Sequence, residues 1–287
     1  MLAELHSHTH YSRGEKIFYE SIHSPKEMLK QAKRLGIGAI AVTDHDEIRG
    51  ALEAEKLSKR VGIEVIVSEE VTSSSGHVLA LGINELIPPK LSVAETVDRI
   101  HEQGGLAIAP HPFDFKRNGI RSEALLCDGI EVFNAMSIDR LTNIKALRVA
   151  REKGMPMTAG SDAHSTEMLG YGITKVEADD AESVLNAVRK GETELQTHYM
   201  PVRVIRNLAV AKLKLSYDHV IDYIEKNYSH PNKFIAKRML GLVNKSPGRV
   251  DSLFKLLSYM TYGGVLFYSR FDAMFAFNPF REKMRRI

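Results

Sequence analysis

Up to about residue 197 the chain alternates between short apolar runs and amphipathic segments, and this alternation limits its fold more than any other feature. The runs are Ile37–Val42, Ile63–Val67, His77–Ile83, Leu106–Ala109, Gly129–Phe133 and Pro156–Ala159. Continuous apolar runs of this length are what strands covered on both faces look like. The segments between them carry helix signals. Ser24-Pro25-Lys26-Glu27 joins a capping serine, a proline suited to the first turn and a glutamate that can reach back. Ser92-Val93-Ala94-Glu95 repeats the capping box, and that helix stops before Gly104-Gly105. A third helix, Asp139–Lys153, is ended by Gly154 and Pro156. Repeated βα units predict an α/β protein built on a parallel sheet or a barrel.

The pattern stops near His198–Val202. Beyond it no strand alternation is visible, and about four short helices are expected, with breaks near Ser216, Ser229-His230-Pro231 and Ser246-Pro247-Gly248. Val220, Ile221 and Ile224 mark one apolar face, and Val250, Leu253, Phe254 and Leu257 another. Charge changes at the same point. Residues 1–200 hold 23 Lys and Arg against 30 Asp and Glu, and residues 201–287 hold 16 against 6, so balances of −7 and +10 make up the overall +3. We therefore expect a domain over residues 1–197 and a small basic helical region over 198–287.

Composition removes several classes. At 44% hydrophobic and 26% charged, the chain is neither disordered nor collagenous. A single cysteine, Cys127, excludes an internal disulfide and a thiolate cluster, so any metal site must use His, Asp and Glu. The N-terminus has no basic start followed by an apolar run, and Leu256–Ser269 is too short to span a bilayer. The expectation is a soluble cytoplasmic protein without a membrane partner.

Titratable residues gather where the strands end. His6 and His8 follow the first short apolar segment, and on a strand their i, i+2 spacing points both imidazoles to one side. Thr43-Asp44-His45-Asp46 follows Ile37–Val42, and Glu69-Glu70 follows Ile63–Val67. Pro110-His111-Pro112 ends Leu106–Ala109, and Gly160-Ser161-Asp162-Ala163-His164 ends Pro156–Ala159. These are carboxyl ends of strands, the face on which barrel active sites form. His77 breaks the rule, because it starts its strand. Any one pair would be weak evidence; several strand-end clusters together are hard to explain as ordinary surface. Imidazoles and carboxylates without thiolates suit Zn, Mn or Fe, and a glutamate can bridge two ions. His23, His101, His198, His219 and His230 fall on helices or loops without such neighbours and are read as solvated or packed.

In order, Leu5-His6-Ser7-His8-Thr9-His10-Tyr11-Ser12, Ala41-Val42-Thr43-Asp44-His45-Asp46, Glu70-Val71-Thr72, Gly76-His77-Val78, Pro110-His111-Pro112 and Gly160-Ser161-Asp162-Ala163-His164 resemble the PHP (polymerase and histidinol phosphatase) superfamily of metal-dependent phosphoesterases. The resemblance covers residues 1–197. It implies a distorted β/α barrel of seven strands with two or three divalent ions, and hydrolysis of a phosphate ester by a metal-activated hydroxide. By motif, His6 and His8 would hold a first metal with Glu70 and Asp162. Glu70 would bridge to a second held by His77 and His111, and His45 and His164 would bind a third. Without a third ion, His45 or His164 could protonate the leaving oxygen.

One position departs from the family pattern. Where members commonly read H-T-x-x-S-D-G, this chain reads His8-Thr9-His10-Tyr11-Ser12-Arg13-Gly14, with Arg13 in the acidic slot. A guanidinium has no lone pair to give a metal. Either the third ion binds through His45 and His164, helped by His10, or Arg13 grips a substrate phosphate; a surface pair of Arg13 with Glu15 or Glu20 is the ordinary alternative. Lys116, Arg117 and Asn134 are further candidates for substrate contact, and Asp44 and Asp46 are expected to orient His45. For substrate, the basic region favours a nucleotide or a single-stranded nucleic-acid end, with Lys212, Lys214, Lys233, Lys237, Arg238, Lys245 and Arg249 along a phosphate backbone and Tyr228, Phe234 or Tyr259 for stacking. A small-molecule phosphatase of the histidinol phosphatase kind, a non-catalytic regulatory module and a barrel amidohydrolase are the alternatives. The last usually adds a bridging lysine after a later strand, for which no comparable lysine stands here.

Overall fold

The apolar runs become strands of one curled sheet. In a computed structural model, which describes residues 1–114 and 118–276, β1 (Leu2–Ser7), β2 (Ala39–Val42) and β3 (Glu64–Thr72) run parallel to one another. So do β5 (Leu106–Ala109), β6 (Gly129–Asn134) and β7 (Met157–Gly160). Between the two sets lies β4 (His77–Leu81), antiparallel to both β3 and β5. β8 (Gly172–Lys175) pairs antiparallel with β1, and β9 (Glu194–Thr197) pairs with β8. The order is β7-β6-β5-β4-β3-β2-β1-β8-β9.

The sheet curls until β7 meets the seam between β1 and β8. Ser7 bridges Ala163 in parallel register, and the His8 amide donates to the Ala163 carbonyl at 2.8 Å. The Ala159 amide donates to Thr174 Oγ1 at 3.0 Å. The barrel is thus nearly closed, as the α/β barrel expectation required. Among the described residues it holds nine strands rather than seven. The additions were hard to read: β8 and β9 are four residues each, and β9 (ELQT) is largely exposed, so neither shows an apolar run.

Helices α1 (Pro25–Arg34), α2 (Arg49–Val61), α3 (Val93–Glu102), α4 (Arg140–Lys153) and α5 (Ala181–Lys190) cover the sheet. Ser24 and Ser92 form the expected capping boxes with Glu27 and Glu95. Asp139 caps α4, which ends at Gly154 in the left-handed region (φ 64°). One apolar cluster joins Met28 and Leu29 of α1, Ala51 and Ala54 of α2, and Ala146 and Ala150 of α4 to the sheet. A second gathers Leu5, Ile66, Leu79, Leu81, Leu106 and Ile108 against Val184 and Val188 of α5.

Four helices follow, α6 (Val202–Leu215), α7 (Tyr217–Asn227), α8 (Asn232–Val243) and α9 (Val250–Ala276), broken where expected. α9 is not short, at 27 residues. Val204 and Leu208 of α6 sink into the first apolar cluster, while Val220, Ile224, Leu240 and Val243 of α7 and α8 form a cluster of their own. These helices also hold the loop after β1: the Tyr19 amide donates to Ser216 Oγ at 2.9 Å, and His219 Nε2 bonds the Glu15 carbonyl at 2.7 Å. No helix among the described residues is long and apolar enough to cross a membrane.

Candidate metal centre

Strand direction explains why eight residues scattered through the sequence meet. β1, β2, β3, β5 and β7 all end at one rim, delivering His6 and His8, His45, Glu70, His111, and Asp162 with His164. β4 runs the opposite way, so its first residue, His77, arrives at the same rim. The apparent exception in the sequence thus becomes a consequence of antiparallel pairing. Strand alternation separates the adjacent glutamates. Glu70 turns to the rim, whereas Glu69 is buried elsewhere, accepting from the Ile87 amide at 2.9 Å, and burial pushes its carboxyl up to about 8.

Four donor atoms outline a first position. His6 Nε2 lies 3.4 Å from Glu70 Oε2 and 3.6 Å from Asp162 Oδ1, and His8 Nε2 lies 3.4 Å from each of the same oxygens. Donors bonded tetrahedrally to a metal at roughly 2.1 Å stand about 3.4 Å apart, so this spacing is that of a coordination shell. The other carboxylate oxygen, Glu70 Oε1, faces His77 Nδ1 at 2.8 Å and His111 Nε2 at 3.1 Å. Glu70 therefore offers one oxygen to each histidine set. His8, His45 and His164 form a further group whose ligand atoms lie within 4.8 Å of one another.

Second partners orient these rings. His6 Nδ1 bonds Glu131 Oε1 at 3.0 Å, His8 Nδ1 bonds Ser12 Oγ at 3.2 Å, and His164 Nδ1 bonds the Asp162 carbonyl at 3.0 Å. Each leaves Nε2 facing the rim, the usual way a ligating imidazole is held. A buried nitrogen at this rim that faces the carboxylates, His8 Nε2, has no hydrogen-bond partner among the described residues. Buried polar atoms are rarely left so, and an ion is a ready explanation. His111 and Asp162 also hold left-handed backbone, at φ 29° and 51°, a strain that side chains tolerate mainly at functional sites.

Protonation favours ligation at His8, His45, His164, Glu70 and Asp162, and opposes it at His6 and His111. Burial, then neighbouring imidazoles at His8 and His45 and Lys212 with His45 at His164, pushes these three down to about 3, so their lone pairs are free at neutral pH. Burial alone would raise Glu70 and Asp162, but the surrounding histidines hold both well below the usual carboxylate range. Neutral imidazoles and ionised carboxylates are the forms that bind metal. Burial opposes charge on His6 and His111 as well. Asp162, Glu131 and Glu70 outweigh it at His6, and Glu70 with Asp162 and Glu131 lifts His111 to about 9. The donor set and its geometry fit divalent ions.

A cavity of about 410 Å³ opens above the rim, lined by His45, Glu70, His77, His111, Asp162 and His164, and also by Arg13, Glu20, Asn134 and Lys212. Arg13 is exposed, with its guanidinium 4.7 Å from the Phe18 ring centroid and 4.3 Å from that of Tyr19, and it forms no ion pair among the described residues. Asn134 lines the wall but is buried, its amide donating to Glu131 Oε2 at 3.0 Å and Asp162 Oδ2 at 3.2 Å. Lys116 and Arg117 lie outside the described residues. Asp44 and Asp46 do not orient the His45 ring. Asp44 accepts from the Thr9 amide and hydroxyl, both at 2.6 Å, and from Ser12 Oγ at 2.7 Å, fixing the loop after β1; Asp46 accepts from the Thr72 amide at 2.7 Å. His10 packs on Tyr11 instead of joining the cluster, and His23, His101 and His219 have structural partners in Thr166, Asp128 and Glu15.

Two residues escaped the sequence reading, and a third, Glu20, entered it only as a possible surface partner of Arg13. Glu131 sits within an apolar strand, so nothing marked it, yet it backs His6 and accepts from the His111 amide at 2.9 Å. Glu4, also buried, accepts from the Ser161 amide at 2.9 Å and so braces the turn that carries Asp162. Glu20 stands 3.4 Å from His45 Nε2.

Comparison with known proteins bears on the family and the fold. A PHP-associated family model matches residues 140–193, which include Asp162 and His164. An uncharacterised protein of Methanocaldococcus jannaschii is 46% identical over 153 residues, covering 51% of this chain and 90% of its own length. A two-domain protein of Bacteroides vulgatus, described as containing a predicted PHP-like metal-dependent phosphoesterase, superposes with a TM-score of 0.59 at 18% identity, covering 72% of this chain and 68% of that one. The chain belongs to the PHP superfamily. Two further relatives carry named activities: a phosphoribosyl 1,2-cyclic phosphate 1,2-diphosphodiesterase of Eggerthella lenta, 30% identical, and a 5'-3' exoribonuclease of Haemophilus influenzae, 28% identical. The matches cover 35% and 37% of this chain and 38% and 37% of those proteins. As a PHP protein, the chain falls in a family of metal-dependent phosphoesterases, and its barrel and histidine-carboxylate rim agree with that membership.

Proposed function

We propose that this PHP protein hydrolyses a phosphate ester of a nucleotide or of a nucleic-acid end. The observation that carries the reading is the rim itself: His6, His8, His45, Glu70, His77, His111, Asp162 and His164 converge on one cavity, with coordination spacing around Glu70 and Asp162. In this reading they hold two or three divalent ions, of which Zn, Mn and Fe suit a donor set of imidazoles and carboxylates. Such ions supply Lewis acidity toward the phosphate and lower the pKa of a bound water.

The chain's own residues do the rest. His6, His8, Asp162 and one oxygen of Glu70 would turn their lone pairs to one ion, while His77, His111 and the other Glu70 oxygen would turn theirs to a second. Arg13 and Lys212, far apart in sequence, line the cavity and bring positive charge to phosphoryl oxygens. Burial keeps His45 and His164 unprotonated, which suits them to ligation better than to protonating a leaving group. Asn134 serves the ligands by holding Asp162 and Glu131.

Cavity size and the named relatives support the substrate class. A volume of about 410 Å³ suits a small molecule or one terminal nucleotide. By their names, both relatives act on phosphate esters of ribose. The test is metal analysis with a panel of an aryl phosphate, histidinol phosphate, 3',5'-bisphosphonucleotides and 5'-phosphorylated oligonucleotides. Metal-dependent turnover of a nucleotide or oligonucleotide, lost in His8→Ala, is expected. Preference for histidinol phosphate would move the substrate to a small-molecule ester, and no turnover across the panel would indicate a regulatory module. If the helices track nucleic acid, oligonucleotide affinity falls steeply with salt; salt-independent binding would remove that part of the proposal.

A further inference from the structure

The loop after β1 turns back on itself within a few residues. Arg13 bridges Tyr19 in antiparallel register, the Gly14 amide donates to the Phe18 carbonyl at 3.2 Å, and the Glu20 amide donates to the Ser12 carbonyl at 3.2 Å. The hairpin carries Arg13 outward onto the Phe18 and Tyr19 rings and returns Glu20 beside Ser12, next to the position that Arg13 occupies in sequence. Space for the returning carboxylate comes from a missing side chain: a Cβ at Gly14 would lie 2.5 Å from Glu20 Oε1.

His45 and His164 need such a group. His45 directs Nδ1 to Glu70 at 3.1 Å and Nε2 to Glu20 Oε2 at 3.4 Å, the same donor spacing as in the first position. His164 has Nδ1 tied to the Asp162 carbonyl, which leaves Nε2 to bind. Two imidazoles carry no net charge to offset a dication, so a carboxylate at this point adds what the pair lacks. Lys212 of α6 lines the same wall, so the C-terminal helices border this position as well.

We propose that Glu20 supplies the carboxylate of a third metal position with His45 and His164, taking over from the acidic residue that Arg13 replaces. The proposal rests on reading the rim as a metal centre, and the test separates the two. Full-length protein is stripped with chelator, equilibrated with Mn²⁺, freed of excess by gel filtration and assayed for metal per chain, with calorimetric titration for affinities. Wild type should hold three equivalents, and Glu20→Gln two, the remaining two at unchanged affinity. Gly14→Ala, which crowds Glu20 Oε1, should weaken the same equivalent. A third equivalent unchanged in both variants, or a wild type that stops at two, overturns the role of Glu20. A wild type that binds no metal overturns the metal centre, and Glu20's role with it.

Discussion

The barrel rim and the C-terminal helices are both rich in charge and use it in opposite ways. At the rim, His6 and Glu70 are 0% and 1% exposed, and titratable groups face one another because strand ends aim them inward. On the helices, Lys233 and Lys237 both turn to Glu225, whose side chain is 44% exposed, and Lys214 Nζ bonds the Ser246 carbonyl. Water screens such surface pairs, and each contributes little, whereas buried donors without room to relax are costly unless something binds them. A large net charge is therefore a weaker guide to chemistry than a few buried groups that converge. Lys212 is the exception that joins the regions, since it belongs to the helices yet lines the cavity.

Substitutions sharpen this contrast. His8→Ala should have the largest effect, a loss of roughly three orders of magnitude or more in kcat/KM together with bound metal, since residues of one constellation fail together; retained turnover would separate the rim from the chemistry. Glu131→Gln keeps every ligand but weakens the support of His6, and should lower metal affinity roughly 10–100-fold by calorimetry. Lys212→Met should reduce kcat/KM on a small phosphate ester about tenfold, as for loss of a charged hydrogen bond. The double change Lys233→Met with Lys237→Met should leave that value within about twofold. Equal losses from the two lysine variants would break the distinction between rim and helices. The smallest effect concerns Cys127. Burial pushes its thiol up to about 12, so at pH 8 it remains protonated, and iodoacetamide should label it in denaturant but barely in the folded protein.

Much of the candidate site was legible because the candidate ligands obey local rules. His6 and His8 share a strand face, and His45, His111 and Asp162 each follow an apolar run, so residue type and position coincide. Support groups obey no such rule. Glu131 looks like a polar interruption of an apolar strand, and only the barrel shows that it stands behind His6 and below His111. Glu20 lies in a loop without periodicity, and its approach to His45 depends on a hairpin held by Ser216 and His219 far along the chain. The place of Lys212 likewise depends on α6 docking through Val204 and Leu208. His77 was legible as a residue but not as a position until the direction of β4 was known.

The closing seam has a consequence for how the protein is made. β1 leaves the ribosome ahead of the other strands described, but its neighbour β8 and the candidate ligands beside it, Asp162 and His164, come more than 150 residues later, and the Met1 nitrogen bonds the Val176 carbonyl. Contacts this distant in sequence form late and slowly. The first histidines of the rim must therefore wait through synthesis of most of the barrel, so the appearance of tight metal binding during translation would time the moment the barrel shuts.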